Sequence, residues 1–340
     1  MLLDLNLDEL KKYCIELGQP KFRAQQLFDA MISGKRIDEI SNLPKSFLSQ
    51  IESDYPTFKM VEKLSAKDGT SKYLFEMNDG ALVESVLINH NYGRSVCVST
   101  QVGCRMGCKF CASTLNGLKR NLTAGEILSQ VIYINREQGG DSKKRAVNTL
   151  VLMGMGEPLD NYDEVTKFLR LVSSSDSLNI SQRNITLSTC GLVNEIRKLA
   201  DEGYFVTLAI SLHATSDEQR KKIMPIANKY SISEILSACK YYFEKTGRRI
   251  SFEFSLIAGE NDSMENADKL ALLLKGLPCH VNVIPLNSVK ERALQGTSIK
   301  RAYAFVDRLN NNGINATKRR SMGEEIGGAC GQLRNRKVQS

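Results

Sequence analysis

The stretch Gln101-Val-Gly-Cys-Arg-Met-Gly-Cys-Lys-Phe-Cys111 places three cysteines in a C-x3-C-x2-C spacing. Three thiolates this close together can bind one metal centre, but a structural zinc site almost always has four ligands, which usually arrive as two pairs. An iron–sulfur cube bound by three cysteines leaves one iron without a protein ligand, and that iron can bind a substrate or cofactor. For Cys104, Cys108 and Cys111 the alternative is a zinc knuckle or accidental clustering.

This spacing, with an aromatic residue directly before the last cysteine, resembles the cluster loop of radical S-adenosylmethionine (SAM) enzymes. The resemblance implies a [4Fe-4S] cluster on Cys104, Cys108 and Cys111, whose open iron chelates the amino and carboxylate groups of SAM. A member of a different class, a non-catalytic zinc-stabilised RNA-binding protein, would be colourless after anaerobic purification, whereas an iron–sulfur protein would be brown.

Length, composition and charge are typical of an intracellular enzyme. The 340 residues can form one large domain and a small accessory one. No apolar run is long enough to span a membrane, and the N-terminus is acidic and amphipathic rather than a secretory signal. Nine cysteines, several of them clustered, indicate metal or redox chemistry in a reducing compartment, so we expect a cytoplasmic protein. The formal net charge of +8 is compatible with a nucleic-acid partner but does not identify one.

The first ninety residues divide into a helical part and a strand-rich part. Helical spacing of apolar residues predicts helices at 8–17, 23–32 and 40–51, the third interrupted by Pro44. Two strands at 72–77 and 81–88 flank the turn Asn78-Asp-Gly80, which is a strong hairpin signal. The helical part could dock a substrate or could only cover the core, and the residues favour neither alternative.

The remainder of the chain alternates strands with helices. We predict strands at 95–100, 147–153, 184–189, 205–211, 250–256 and 281–286, with helices between them. Capping boxes are predicted at Thr123 with Glu126, Thr215 with Glu218, and Ser231 with Glu234. Such alternation predicts parallel strands, but six units are too few for an eight-fold barrel. The resemblance implies an α/β fold: a partial (βα)6 radical SAM barrel with a small N-terminal helical accessory domain.

Polar residues follow several predicted strands, and reactive groups gather at the carboxyl ends of the strands in parallel barrels. The second strand runs into Met153-Gly-Met-Gly-Glu-Pro158, where glycines allow close approach to a ligand and Glu157 can accept hydrogen bonds from an ammonium group. The third strand ends near Ser188, the fourth in Ser211-Leu-His213, and the sixth in Pro285-Leu-Asn287.

Four segments narrow the resemblance to one family: Gly103-Cys-Arg-Met-Gly-Cys-Lys-Phe-Cys111, residues 153–158, Ser211-Leu-His213 and Ala329-Cys-Gly-Gln-Leu333. Together with Phe22-Arg-Ala-Gln-Gln-Leu-Phe, they resemble the RlmN/Cfr adenine methyltransferases of RNA over essentially the whole chain. The resemblance implies that Cys330 carries a methyl group, that Cys97 resolves the adduct and that Glu84 transfers a proton. The SAM contacts that it implies are Gly156, Glu157, Ser188, Ser211, Leu212, His213 and Asn287.

The family's chemistry implies two SAM molecules per turnover. One methylates Cys330, and the other yields a radical that takes a hydrogen from this S-methyl group. The carbon radical adds to the adenine ring, Glu84 removes the ring proton as a base, and Cys97 attacks the sulfur of Cys330, which leaves a disulfide to be reduced. From the residues alone, a buried strand cysteine such as Cys97 is usually a small hydrophobic residue. Glu84 either faces solvent by alternation or points into the site, and without the resemblance it would be interpreted as a surface residue.

The resemblance also implies the domain boundaries and the partners. We expect an RNA-docking helical domain at 1–58, a strand-rich hairpin extension at 59–93, the barrel at 94–300, and a C-terminal helix and tail at 301–340. The expected substrates are 23S rRNA and tRNA, the electron donor is flavodoxin or ferredoxin, and the protein is a monomer. Pro158 favours methylation at adenine C2 over the alternative, Cfr-type methylation at C8.

Among the basic clusters, Lys318-Arg-Arg320 is predicted to contact RNA, and 334–337 is predicted to be a solvated basic tail.

Overall fold

The computed structural model describes residues 1–57 and 59–333, so the basic tail at 334–337 lies outside the described residues. Three α-helices begin the chain: α1 (Leu7–Glu16), α2 (Phe22–Ile32) and α3 (Lys45–Ile51). All three predicted helices are confirmed, but the third begins later than predicted because Pro44, which has no N–H to donate, occupies its N-cap. Leu10, Leu27 and Phe47 are fully buried, so the three helices pack into the common core.

The strand-rich segment that follows joins the main sheet. It forms four strands: β1 (Lys59–Ser65), β2 (Ser71–Glu76), β3 (Leu82–His90) and β4 (Gly93–Cys97). Each strand pairs antiparallel with the next one along the chain, and the pair β2–β3 confirms the predicted hairpin. In this register Leu74 lies opposite Glu84, and Val86 lies opposite Cys97. The hairpin therefore extends the sheet of the barrel, and the domain boundaries at 58 and 93 stay a prediction.

A separate two-stranded ribbon, β5 (Gln101–Gly103) and β6 (Leu118–Asn121), encloses the cysteine loop. Where the two strands meet the loop, the backbones of Gly103 and Gly117 lie very close together. A Cβ at Gly103 would lie only 2.0 Å from the carbonyl oxygen of Gly117. Gly103 also has a φ of +82°, a conformation that L side chains rarely adopt. Only glycine fits at this entry to the loop.

The barrel is built from parallel strands joined by helices on the outside. Its further strands are β7 (Thr149–Leu152), β8 (Ile185–Thr189), β9 (Thr207–Ser211), β10 (Ile250–Leu256), β11 (Cys279–Pro285) and β12 (Ala316–Lys318). Its helices are α4 (Ala124–Glu137), α5 (Tyr162–Ser173), α6 (Val193–Asp201), α7 (Asp217–Ile223), α8 (Ile232–Thr246), α9 (Met264–Leu274) and α10 (Ile299–Asn311). The ten-stranded sheet has the order β1-β2-β3-β4-β7-β8-β9-β10-β11-β12, and all pairs from β4 onward are parallel.

The six predicted barrel strands and the α/β partial barrel are confirmed, whereas β12 was not predicted. This strand has only three residues, Ala-Thr-Lys, and they carry no apolar alternation. The capping boxes at Thr123 and Ser231 are present, but the one at Thr215 is wrong. Ser216 caps α7 instead, and its side chain accepts a hydrogen bond from the backbone N–H of Gln219.

Strand β10 shows why the inside of the barrel is polar. In Ile250-Ser-Phe-Glu-Phe-Ser-Leu256, the four apolar side chains are fully buried on one face and the three polar ones alternate with them. Because successive strand residues point to opposite faces, the apolar set packs under the helices and the polar set lines the concave inner face. Within 1–57 and 59–333, no helix is long and apolar enough to cross a membrane.

Candidate active site

The cysteine loop lies over the carboxyl ends of the barrel strands. Cys104, Cys108 and Cys111 all line one cavity of about 150 Å³. The loop is fixed by Lys109, whose backbone N–H donates to the carbonyl oxygen of Ile223 at 2.9 Å. Burial raises the pKa of Cys104 to about 12 and that of Cys108 well above its usual value. Deprotonated thiolates at this position therefore require a bound cation.

The donor set of this cavity fits an iron–sulfur cluster. Within the described residues, no three Cys, His, Asp or Glu side chains converge on a point that could hold a single metal ion. The cysteines of a cluster bind different iron atoms and need not converge. Arg220 is fully buried close to Cys108, and its Nη1 atom has no hydrogen-bond partner among the described residues. A buried, partly unpaired guanidinium is a suitable neighbour for an anionic cluster.

The loop 154–157 shapes a second wall of the cavity. A Cβ at Gly154 would lie 2.5 Å from the carbonyl oxygen of Val98, so the close packing requires glycine there. Gly156 has a φ of +108°, and a Cβ on it would lie 2.7 Å from the Cβ of Gln101. The buried carboxylate of Glu157 accepts hydrogen bonds from the backbone N–H groups of Leu159 at 3.1 Å and Cys190 at 2.8 Å. Burial raises the pKa of Glu157, and these hydrogen bonds oppose that shift.

His213 lies in the same cavity in a strained backbone conformation, with a φ of +57°. Its Nδ1 atom accepts a hydrogen bond from the backbone N–H of Ser255 at 2.9 Å, and Phe110 of the cysteine loop packs edge-on against the ring at 4.9 Å. Burial lowers the pKa of His213 to about 3. At neutral pH the imidazole is therefore neutral, with its proton on Nε2, which makes it a hydrogen-bond donor. Strain of this kind is concentrated at functional sites.

The other predicted SAM contacts differ in what they present to the cavity. Ser188 and Ser211 line it, whereas the side chain of Leu212 is fully buried in the core. The carbonyl oxygen of Leu212 accepts a hydrogen bond from Arg220 Nε at 3.1 Å. Asn287 lines the cavity, but its amide is engaged by the C-terminal segment: Nδ2 donates to the carbonyl oxygen of Cys330 at 3.1 Å, and Oδ1 accepts from Ser321 at 3.0 Å.

The C-terminal segment is hydrogen-bonded to the cysteine loop. The backbone N–H of Ala112 donates to the carbonyl oxygen of Gly331 at 2.7 Å, and Ser113 Oγ donates to that of Leu333 at 2.8 Å. These contacts place Cys330 in the lining of the cysteine cavity and also of a larger groove of about 700 Å³ on the inner face of the barrel. Cys330 lies where the two spaces meet.

Cys97 lines the larger groove together with Cys330. Burial raises the pKa of Cys97 to about 12, and the charge of the nearby Cys330 sulfur adds to the shift. All nine cysteines lie within the described residues, and all are free thiols. The two special cysteines predicted from the sequence are thus brought to one groove.

Arg319 and Glu253 also lie where the two spaces meet, and sequence reasoning did not place them there. Arg319 Nη1 donates to Glu253 Oε2 at 3.2 Å, and Glu253 Oε1 accepts from Asn282 Nδ2 at 2.8 Å. Cys330 and Glu253 hold the pKa of Arg319 above its usual value. The charge of Arg319 is thus already paired inside the groove, and the contact of Lys318-Arg-Arg320 with RNA stays a prediction. Glu253 could have been noticed as the one carboxylate among the polar residues that alternate along the predicted strand 250–256.

Glu84 is buried away from both spaces, since neither the 150 Å³ cavity nor the 700 Å³ groove has it among its described lining residues. Its Oε1 atom forms an ion pair with Lys72 Nζ at 2.9 Å. Lys72 Nζ also donates to the carbonyl oxygen of Gly327 at 3.4 Å. Glu84 is thus connected through Lys72 to the segment that carries Cys330.

Comparison with known proteins decides the family. A model of the radical SAM superfamily matches residues 98–271. The chain is 52% identical over 344 residues to a protein of Clostridium perfringens (strain 13 / Type A) named a probable dual-specificity RNA methyltransferase RlmN, covering 100% of this chain and 98% of that one. A protein of the same name from Lachnospira eligens is 52% identical over 337 residues, covering 98% and 95%. The chain belongs to the RlmN family of radical SAM RNA methyltransferases.

A solved structure supports the same assignment for the fold. The crystal structure of a radical SAM methyltransferase from Sphaerobacter thermophilus has a TM-score of 0.93 and 42% identity, and the match covers 98% of each chain. Radical SAM enzymes use a [4Fe-4S] cluster and SAM, and these are the cofactors of this RlmN family member. The alternative of a non-catalytic zinc-stabilised RNA-binding protein is wrong.

The structural role of Arg220 beside the cavity can be tested by substitution. Its guanidinium donates to the carbonyl oxygens of Cys190 at 2.6 Å and Ser211 at 3.2 Å, in addition to that of Leu212. Arg220→Met leaves these buried carbonyls unpaired, so we expect the free energy of unfolding to fall by about 3 kcal/mol in urea denaturation.

Lys221→Met is the matched control, because Lys221 is exposed on the same helix. It should change stability by less than about 0.5 kcal/mol. Equal stability of the two variants would contradict the structural role of Arg220.

Proposed function

We propose that this chain transfers a methyl group to C2 of an adenine in the peptidyl transferase centre of 23S rRNA, and to the adenine 3′ of the anticodon in tRNA, through an S-methylcysteine on Cys330. The position of Cys330 carries the proposal, because this residue lines both the cysteine cavity and the larger groove. A methyl carrier must meet the methyl donor on one side and the methyl acceptor on the other. Among the described cysteines, Cys330 alone lines both spaces.

On the donor side, Cys104, Cys108 and Cys111 are proposed to hold the cluster. Glu157 and His213 offer a carboxylate acceptor and an Nε2–H donor to SAM, and Gly156 lets the backbone approach it closely. The remaining proposed SAM contacts are Ser188, Ser211, Leu212 through its backbone, and Asn287. When bound, the cluster and SAM supply the radical that takes a hydrogen atom from the methyl group on Cys330.

On the acceptor side, the larger groove is proposed to receive the adenine. Its inner wall carries hydroxyl groups of successive strands, among them Ser95, Thr149, Thr186, Thr207 and Ser251. An enzyme that acts on a ring carbon must take the base out of its stack and read its edges by hydrogen bonds in a pocket. A volume of about 700 Å³ has room for a nucleotide.

Three residues are proposed to complete the reaction after the carbon has bonded to the ring. Glu84 is the base proposed to accept the ring proton, which requires that its carboxylate, paired with Lys72 outside both spaces, become accessible to the adenine when RNA binds. Lys72 also contacts the segment that carries Cys330. The unpaired electron that radical addition leaves on the ring would return to the cluster when it is bound. Cys97 then attacks the sulfur of Cys330, so that an S–S bond forms, the S–C bond to the product breaks and the released carbon takes up a proton. The burial that raises the pKa of Cys97 requires that its thiol lose a proton to a base in the groove before attack.

The regiochemistry and partners complete the proposal. Pro158 directly follows Glu157 and begins a short 3-10 helix, and a proline at this place favours C2 over Cfr-type C8 methylation. The enzyme acts as a cytoplasmic monomer, and flavodoxin or ferredoxin reduces its cluster. A cellular reductant opens the disulfide between Cys97 and Cys330 after each turnover.

The cluster assignment is tested by Cys108→Ala. We expect loss of bound iron and of visible absorbance while the chain stays folded, because the core strands do not depend on the loop. Cys279→Ala, a half-buried cysteine on β11 away from both spaces, should keep its iron. Iron content near wild type in Cys108→Ala would refute the assignment.

The order of steps separates the two special cysteines. Cys330→Ala should block all methyl transfer, because no acceptor for the first methyl group remains. Cys97→Ala should still allow the carbon to bond to the ring but cannot release the product. It should therefore trap RNA covalently on Cys330, which mass spectrometry detects as a nuclease-sensitive mass shift. Normal turnover by Cys97→Ala without trapped RNA would rule out its role.

A further inference from the structure

The groove on the inner face of the barrel has a second end, at the amino-terminal side of the strands. Arg183 lies in the short 3-10 helix that precedes β8, Arg249 lies directly before β10, and Tyr92 lies in the turn that leads into β4. All three line the same groove as Cys330. We call these residues, together with His90, the amino-terminal rim.

Tyr92 is an unusual surface residue, since 77% of it is exposed. Its ring stacks on that of His90, with the centroids 4.7 Å apart and the planes at 6° to each other. The turn is held by Asn148, whose Oδ1 atom accepts a hydrogen bond from the backbone N–H of Arg94 at 2.9 Å. A Cβ at Gly93 would lie 2.5 Å from the same Oδ1 atom, so the turn packs too closely for any other residue. The rim therefore presents an aromatic ring that is held in place before a ligand arrives.

The rim is also positively charged without internal compensation. Arg183 and Arg249 are exposed, and within the described residues neither guanidinium forms an ion pair or a hydrogen bond. By contrast, Arg308 is paired with Asp268 and Arg120 with Asp79. Two unpaired guanidinium groups and an exposed aromatic ring along one groove are the combination by which proteins bind single-stranded nucleic acid.

We propose that the amino-terminal rim binds the unpaired RNA next to the target adenine, with Tyr92 stacking on a neighbouring base and Arg183 and Arg249 binding the flanking phosphates. The inference rests on the proposed function, because the target base occupies the groove and its neighbours leave through the rim. A base taken out of its stack leaves adjacent bases exposed, and an aromatic ring can cover one of them. His90 supports the Tyr92 ring from behind.

The stacking contact is tested with a single-stranded RNA that contains the target adenine and 2-aminopurine on its 5′ or 3′ side. Wild type and Tyr92→Phe should quench the 2-aminopurine fluorescence of one of these RNAs, and Tyr92→Ala should not. We expect the Kd of Tyr92→Ala for this RNA to rise about tenfold, whereas the Kd for a duplex of the same length should not change. Because Tyr92 does not touch the reacting atoms, KM for RNA should rise with little change in kcat.

One control variant is matched to the loss of the Tyr92 ring, and another is matched to the loss of the arginine charges. Tyr303→Ala removes an aromatic ring that is 52% exposed on α10 and lies away from the groove, and it should bind RNA as wild type does. Arg183→Gln and Arg249→Gln should each reduce the slope of log Kd against log salt concentration by about one. Lys300→Gln, on the outer helix α10, should leave that slope unchanged.

Each outcome decides between defined alternatives. If wild type methylates the RNA and Tyr92→Ala keeps its fluorescence quenching and its Kd, the rim is not a base-stacking site and the inference is overturned, while the proposed function stands. If wild type forms no methylated adenine, the proposed function fails, and the inference fails with it. A loss of binding in Tyr92→Ala that is accompanied by a lower Tm would overturn the inference unless Tyr92→Phe restores both quenching and affinity.

Discussion

The hydrogen bonds between the cysteine loop and the C-terminal segment are the contacts on which the rest of the site depends. Ala112 and Ser113, at the end of the loop, hold the carbonyl oxygens of Gly331 and Leu333. Asn287 holds the carbonyl oxygen of Cys330 from the opposite side. The contacts of Ala112 and Ser113 join parts of the chain that lie more than 200 residues apart, and all three contacts fix a glycine-containing segment that has little core of its own. Without them Cys330 would have no defined position relative to the cluster loop.

The polar inner face of the barrel is the second requirement. In strand β10 the apolar residues are used to bind the sheet to its helices, which leaves Glu253 free to face the groove. Its carboxylate is held by Ser251, Asn282 and Arg319, so that a buried charge is compensated on several sides. Arg319 in turn lies beside Cys330. The strand alternation that stabilises the fold therefore also places a guanidinium next to the proposed methyl carrier.

The features that sequence predicted well are those encoded by local patterns. The cysteine spacing, the hairpin at Asn78-Asp-Gly80 and the six longer barrel strands are signalled by residues that are close together in the chain. β12 is too short to have a pattern, and the partners of Arg220 and Arg319 become neighbours only after the chain has folded. The contacts of Leu212 and Asn287 could not be predicted for the same reason. The backbone carbonyl of Leu212 binds Arg220, and the side-chain amide of Asn287 binds the carbonyl oxygen of Cys330. The role of Glu84 in proton transfer and the positions of the domain boundaries stay predictions.

The central claim is that the carbon atom passes through Cys330, and isotope labelling tests it most directly. Enzyme whose Cys330 has been methylated with trideuteromethyl-SAM is freed of that SAM, then mixed with RNA, unlabelled SAM and reductant for a single turnover. The account predicts that the adenine methyl group formed carries two of the three deuterium atoms, because one is removed from the S-methyl group before the carbon bonds to the ring. A product without deuterium would show that the carbon comes directly from the second SAM, and would contradict the account.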